Sequence, residues 1–337
     1  MEGRTDLVRP IGFLAPATLT IPRTPPYFSA KTFDAPVKPT MSPRKLRPLR
    51  TAEHRALRAG PALSAIGVRP RKSRGQNFLV QVAVANRIVE AAHLAPEDRV
   101  LEIGPGLGIL SERIAAHPLS KLTLVELEPL LATQLEQRFV GDRRVRIVNA
   151  DFLKADFAAL CDRVPTKVIG NLPFNAAAAI LSRLCTYRAG ISRMVLMFQR
   201  EVAERIRARA GEPSYGALTV FTALYFKVES HFRVSAGNFH PRPRIDAEVL
   251  IFEPQPRPIF NREEESAVLE TIRAAFSAPR KTLRNSIAHA LRLNAGPVDA
   301  TLRAAAIDPG ARAETLPSLD FVRLARHLRP LLAGSNA

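Results

Sequence analysis

A glycine-rich turn between an apolar strand and a helix is the feature that most restricts how this chain can fold. The run Arg99–Ile103 has the character of a buried strand, Gly104–Gly108 (Gly-Pro-Gly-Leu-Gly) follows it, and a helix is expected from about Ser111. Glycines let the backbone approach a ligand closely, and the helix N-terminus behind them favours ligand binding. Many dinucleotide-binding proteins share such a turn, so by itself it predicts an α/β fold but not a particular ligand.

The same alternation of apolar runs and helical periodicity continues along the chain and predicts an open α/β sheet with parallel strands. The other predicted strands are Lys121–Val125, Val145–Asn149, Lys167–Gly170, Met194–Phe198, Val228–Val234 and Glu248–Phe252. Ligands of open α/β sheets bind beyond the carboxyl ends of the strands. The residues that follow each strand are therefore the candidates for a site.

Acidic residues follow two of these strands. Glu126 lies about 20 residues beyond the glycines, where a carboxylate can accept both hydroxyls of a ribose. Asp151 follows the next strand and can accept a hydrogen bond from an adenine amine. Each acid taken alone is more often a surface charge, but loops suited to adenosine at consecutive strand ends favour an adenosine-containing ligand.

The fourth strand ends in Asn171-Leu172-Pro173-Phe174, a stiff turn that combines an amide, free carbonyls and a flat ring. This set suits a planar base with an exocyclic amine, although an ordinary Asn-Pro strand exit with a core Phe is the alternative. Before the first strand, Gln76 and Asn77 are predicted to lie over a small ligand at the sheet edge. Their alternative role is a helix cap.

The net charge of +18 and the pI near 11.0 indicate a polyanionic partner. No apolar run approaches the roughly 20 residues of a membrane span, so nucleic acid is preferred over a membrane. Cys161 and Cys185 lack metal-ligand spacing, and no metal is expected. The cations predicted to contact nucleic acid lie in a Pro-rich loop and on a later helix, where a solvated helix face is the alternative. They are Arg242, Arg244, Arg280, Lys281 and Arg284.

Composition divides the chain into three predicted parts. Residues 1–70 are Pro-rich and basic and are expected to be a disordered arm. Residues 71–256 carry the strand signals, and residues 257–332 show only short amphipathic helices. A cytoplasmic location is expected, with organelle import through the arm as the weaker alternative.

The ordered series of motifs resembles the ribosomal RNA small-subunit adenine dimethyltransferases, which are sister to the macrolide-resistance rRNA methylases. The matching stretches are Gly75–Leu79, Glu102–Gly108, Val125-Glu126, Asp151–Leu153, Gly170–Phe174, Gln199–Val202, Phe239–Ile245 and Arg280–Ser286. The resemblance implies a Rossmann-like S-adenosylmethionine methyltransferase domain with a mostly parallel seven-stranded sheet, followed by a small helical rRNA-binding domain. It also implies that a monomer modifies adjacent adenosines of 16S rRNA in the small ribosomal subunit.

Site residues follow from the same resemblance. The catalytic group comprises Asn171, Leu172, Pro173, Phe174 and Phe239, with the two rings sandwiching the target base; the family usually has Tyr in place of Phe174. The positions that match contacts to the methyl donor are Gln76, Asn77, Leu79, Gly104, Gly106, Glu126, Leu127, Asp151, Phe152 and Asn171.

Three other functions are compatible with parts of the sequence. A large-subunit rRNA methylase would share nearly all of the motifs, but the helical C-terminal part argues against it. A nicotinamide-dependent oxidoreductase would explain the glycine turn and leave Asn171–Phe174 unexplained. A non-catalytic ribosome-assembly factor could keep the fold, yet the intact motif set argues against loss of activity.

Overall fold

The computed structural model of the protein describes residues 58–71, 75–256 and 259–334, which belong to one compact unit. Its strands are β1 Phe78–Leu79, β2 Arg99–Ile103, β3 Lys121–Glu126, β4 Val145–Asn149, β5 Thr166–Asn171, β6 Ile191–Gln199, β7 Phe226–Val234, β8 Phe239–His240 and β9 Ala247–Pro254. Its helices are α1 Ala59–Ala65, α2 Val82–Glu90, α3 Ile109–Ala115, α4 Pro129–Arg138, α5 Phe157–Leu160, α6 Ala177–Thr186, α7 Arg200–Arg207, α8 Ala217–Tyr225, α9 Arg262–Ala275, α10 Leu283–Leu291, α11 Ala295–Ala304 and α12 Ser318–Gly334.

The centre of the fold is a seven-stranded sheet in the order β4-β3-β2-β5-β6-β9-β7. Strands β2 to β6 run parallel, whereas β9 is antiparallel to both β6 and β7. Side chains alternate across the sheet: Leu101 and Ile103 join the apolar core on one face, and Val100 joins the core on the other. The predicted Rossmann-like, mostly parallel sheet is confirmed.

Short elements differ from the sequence-based expectation. Helix α3 begins at Ile109 rather than near Ser111, because Gly108 caps it in a left-handed conformation. The two-residue strands β1 and β8 pair antiparallel, with Leu79 opposite Phe239. Neither was predicted, since a strand of two residues has no hydrophobic period to detect.

The last part of the predicted disordered arm is folded, which corrects that expectation for residues 58–70. Helix α1 buries Ala59 and Leu63, and Val68 follows it into the same apolar cluster. That cluster also contains Phe78, Leu107 and Leu131 from the part of the chain that carries the strands. The helix forms because tertiary packing supplies the apolar contacts that the local composition lacks. Residues 1–57 of the arm lie outside the described part.

The helices after β9 pack directly on the sheet domain. Val220 and Leu224 of α8 belong to the same apolar cluster as Val268 of α9 and Phe321 of α12. The Tyr215 hydroxyl donates to the Leu316 carbonyl at 2.7 Å across this boundary. The predicted division near residue 256 therefore crosses a continuous core. Among the described residues, no helix is both long and apolar enough to span a membrane.

Candidate active site

A cavity of about 240 Å³ opens at the carboxyl ends of the parallel strands. It lies beyond Ile103, Val125, Ala150 and Asn171, at or just after the ends of β2, β3, β4 and β5. All ten residues predicted to contact the methyl donor line it: Gln76, Asn77, Leu79, Gly104, Gly106, Glu126, Leu127, Asp151, Phe152 and Asn171. The parallel topology brings these distant loops together, because every strand of this group ends at the same edge.

The glycine turn is held against the cavity by Glu126. The Gly106 N–H donates to Glu126 Oε2 at 3.0 Å, and the Glu128 N–H donates to Oε1 at 2.9 Å. Burial raises the pKa of Glu126, while these backbone hydrogen bonds oppose the rise. Each carboxylate oxygen keeps a second lone pair, so Glu126 can still accept hydrogen bonds from a ligand.

Asn171 presents an acceptor of fixed orientation. Its side-chain nitrogen Nδ2 donates to the Asn77 carbonyl at 2.9 Å. The amide oxygen Oδ1 is buried and has no hydrogen-bond partner among the described residues. A buried polar atom without a partner is costly, so it marks a place where a ligand donor fits.

Gly75 brings the β1 segment against the Asn-Pro corner. It has φ +61°, and a Cβ there would lie 2.7 Å from the Asn175 nitrogen and 2.9 Å from the Phe174 nitrogen. The Phe174 N–H donates to the Gly75 carbonyl at 3.3 Å. The alternative role of Gln76 and Asn77 as a helix cap is wrong, because Gln81 is the N-cap of α2.

The predicted aromatic pair lies at the same corner. The ring centroids of Phe174 and Phe239 are 6.3 Å apart at an interplanar angle of 64°. Phe239 is buried and Phe174 is half-buried. A flat base can stack between both rings only if the planes become parallel, so the half-buried Phe174 is the ring that must rotate.

The remaining predicted residues have simpler surroundings. Asp151 uses Oδ1 to accept from the Leu153 N–H at 2.9 Å, while Phe152 is buried and Leu127 is half-exposed in the cavity wall. Leu172 buries its side chain in the core, and the Pro173 carbonyl accepts from the Ala176 N–H at 3.0 Å.

The predicted RNA-binding cations are all exposed. Within the described ranges, Arg242, Arg244, Arg280 and Lys281 have no ion-pair partner, whereas Arg284 lies 3.7 Å from an Asp299 carboxylate oxygen. In the same ranges, His, Cys, Asp and Glu side chains form no cluster of three or more that could hold a metal ion.

Glu102 is a buried group that sequence analysis did not single out as a site residue. It lies within β2, and neither of its carboxylate oxygens has a hydrogen-bond partner among the described residues. Burial raises its pKa to about 8; the nearby Ser111 hydroxyl lowers the pKa and the charge of Glu126 raises it further. An acid within an apolar strand is the only sequence signal that could have indicated it.

Comparison with known proteins gives three kinds of match. The family model for ribosomal RNA adenine dimethylase matches residues 67–329. Ribosomal RNA small subunit methyltransferase A of Syntrophotalea carbinolica is 40% identical over 262 residues, which cover 78% of this chain and 98% of the relative. The Geobacter metallireducens protein of the same name is 39% identical over 269 residues, which cover 79% of this chain and 98% of the relative.

Solved structures agree on the fold. The Plasmodium falciparum dimethyladenosine transferase matches with a TM-score of 0.64 at 22% identity and covers 75% of this chain and 98% of its own. The 23S rRNA methyltransferase ErmE matches with a TM-score of 0.57 at 26% identity, and the match covers 75% of this chain and 100% of ErmE. The resemblance inferred from the motifs is confirmed: the chain belongs to the ribosomal RNA adenine dimethylase family.

Proposed function

We propose that the chain dimethylates the N6 amines of adjacent adenosines near the 3′ end of 16S rRNA, with S-adenosylmethionine as the donor. Relatives named for the small ribosomal subunit are about 40% identical and match over 98% of their length. The substrate is the small subunit during its maturation, in the cytoplasm, and the enzyme acts as a monomer.

The cavity fits the donor. The Glu126 carboxylate has free lone pairs for the ribose hydroxyls, beside glycine-turn backbone that can approach the ligand closely. Asp151 and Phe152 offer an acceptor and an apolar surface for an adenine. When bound, S-adenosylmethionine supplies a methyl group on a positively charged sulfonium.

The acceptor amine poses the chemical difficulty. The lone pair of an adenine N6 is delocalised into the ring, so the nitrogen is a weak nucleophile. Asn171 Oδ1 and the Leu172 carbonyl accept hydrogen bonds from this amine, hold it in line with the donor and stabilise the positive charge that develops on it. Positioning and preorganised acceptors of this kind contribute about 3–7 kcal/mol.

The observation that carries this proposal is the fixed orientation of Asn171. Because the Asn77 carbonyl accepts from the amide nitrogen, the buried oxygen is the atom of this amide that has no partner among the described residues, in a side chain that belongs to the cavity wall. A side chain free to flip would present a donor half of the time and lose this preference for an amine. Phe174 and Phe239 then hold the extruded base by stacking, worth about 1–3 kcal/mol for each base.

The test is Asn171→Ala, assayed for methyl transfer to small subunits from cells that lack the modification. We expect turnover to fall by about 100-fold or more, since one preorganised acceptor is lost. The control is Gln255→Ala, whose side-chain amide also donates to a main-chain carbonyl, that of Ala223 at 3.0 Å, but which does not line the cavity. Transfer by Asn171→Ala near the wild-type rate would end the assignment.

A large-subunit substrate is the second candidate, and the structural match to ErmE favours it. Mapping the methylated nucleotides discriminates between the two. Methylation confined to 16S rRNA supports the proposal, and methylation of 23S rRNA overturns the choice of subunit while leaving the chemistry unchanged.

A further inference from the structure

Arg138, the last residue of α4, holds the glycine turn from the side away from the cavity. Its Nη1 donates to the Leu107 carbonyl at 2.7 Å and to Glu112 Oε1 at 3.0 Å. The side chain is 29% exposed, so most of it lies between α4 and the turn. Arg138 itself does not line the cavity.

The glycine turn therefore makes hydrogen bonds with two consecutive elements, β3 and α4. Glu126 at the end of β3 accepts from the Gly106 N–H, and Arg138 at the end of α4 donates to the carbonyl of the next residue, Leu107. Helix α4 lies so close that a Cβ on Gly108, at φ +80°, would be 2.9 Å from Leu135 Cδ2 and 3.3 Å from Arg138 Nη1.

The Leu107–Gly108 peptide is held on both sides: its N–H donates to the Pro105 carbonyl at 2.9 Å within the turn, and its carbonyl accepts from Arg138. Glycines on both sides of Leu107 give the backbone access to many conformations. Loss of the Arg138 hydrogen bond leaves this peptide held through its N–H, so a ligand that needs one arrangement must bear more of the ordering entropy when it binds.

We propose that Arg138 is a positioning residue for the methyl donor, which acts through the Leu107 carbonyl without touching the donor. This inference depends on the proposed use of the cavity for S-adenosylmethionine. It places the control of donor affinity partly on a helix end that carries none of the family motifs recognised in the sequence.

Arg144 offers a matched control because it contacts the other end of helix α3. It donates from Nη1 to the His117 carbonyl at 2.9 Å and from Nη2 to the Ala115 carbonyl at 2.9 Å, and it pairs with Asp142. Arg138 and Arg144 therefore make the same kinds of contact at opposite ends of α3. Only Arg138 reaches the end that faces the cavity.

The experiment measures binding of S-adenosylhomocysteine by calorimetry to wild type, Arg138→Met and Arg144→Met, together with their melting temperatures. We expect Kd to rise about tenfold for Arg138→Met, from the added ordering cost. For Arg144→Met, Kd should stay within about twofold of wild type, even if its Tm falls by as much as that of Arg138→Met. In turnover assays, Arg138→Met should raise the donor KM and leave kcat at saturating donor nearly unchanged.

Two results overturn the inference. In the first, Arg138→Met binds as tightly as wild type. In the second, Arg144→Met weakens binding equally, which assigns the loss to general destabilisation. If wild type itself fails to bind S-adenosylhomocysteine, the proposed donor is wrong, and that outcome is distinguishable from both.

Discussion

At the scale of single residues, Glu102 shows how burial sets chemistry in this protein. Its pKa of about 8 lies above the 4.5 of an exposed glutamate, so the folded protein favours the neutral acid. A carboxyl whose pKa is raised by folding makes its full contribution to the free energy of unfolding at any pH below its pKa in the unfolded chain. That stability is lost as the pH rises through the folded value.

Glu102→Gln, which resembles the neutral acid, should therefore flatten the pH dependence of stability. Between about pH 6 and pH 9, the wild-type free energy of unfolding should fall by about 2–3 kcal/mol more than that of the variant. Urea denaturation without donor measures this. The exposed Glu97→Gln is the control and should follow wild type. Parallel curves for wild type and Glu102→Gln would show that Glu102 is ionised throughout.

At the scale of elements, α1 is a helix that the Pro-rich, basic composition of residues 1–70 did not predict. The helix lies before the residues that the family model matches, yet Leu63 packs in one cluster with Phe78, Leu107 and Leu131. These three residues line the cavity, so α1 supports the β1 segment, the glycine turn and α4 from behind.

Leu63→Ala should weaken binding of S-adenosylhomocysteine several-fold, because Phe78, Leu107 and Leu131 of the cavity wall lose packing contacts with Leu63. It should also lower the free energy of unfolding by about 2–5 kcal/mol, as large-to-small core substitutions do. Leu302→Ala, at an equally buried position of α11, is the matched control. It should cost similar stability and leave the Kd near wild type. Equal loss of affinity in both variants would refute a specific role for α1.

At the scale of the whole molecule, the helical layer and the sheet domain share one apolar core. The exposed cations Arg280 and Lys281 therefore have a fixed position relative to the Asn171–Phe174 turn. We propose that phosphate contacts made from this helical layer position the substrate, while the cavity selects the base.

Replacing both Arg280 and Lys281 with Ala should reduce the salt dependence of rRNA binding. The slope of log K against log salt should become shallower by about 1.4–1.8, the value expected for two lost phosphate contacts. Filter binding to a 16S rRNA fragment across a range of KCl measures the slope. Arg303→Ala is the control, since Arg303 is exposed but already paired with Asp299 at 2.8 Å. An unchanged slope in the double variant would exclude these residues from the interface.

Local pattern was sufficient for the main sheet and for the loops that surround the cavity. Apolar runs of strand length are a local property, and parallel topology dictates that their carboxyl ends meet, so Gly104, Glu126, Asp151 and Asn171 could be assigned to one edge. Bounds shifted by only a few residues, as with β7, which begins at Phe226 rather than Val228.

Contacts between distant residues were decided only by the tertiary structure. The Asn171–Asn77 hydrogen bond joins positions 94 apart, and the Arg138–Leu107 bond joins positions 31 apart. The pairing of β1 with β8 and the docking of α1 likewise have no local signal, because each element is too short or too polar to be stable alone. Sequence alone thus determined which groups reach the site, and tertiary packing determined how each is oriented and held.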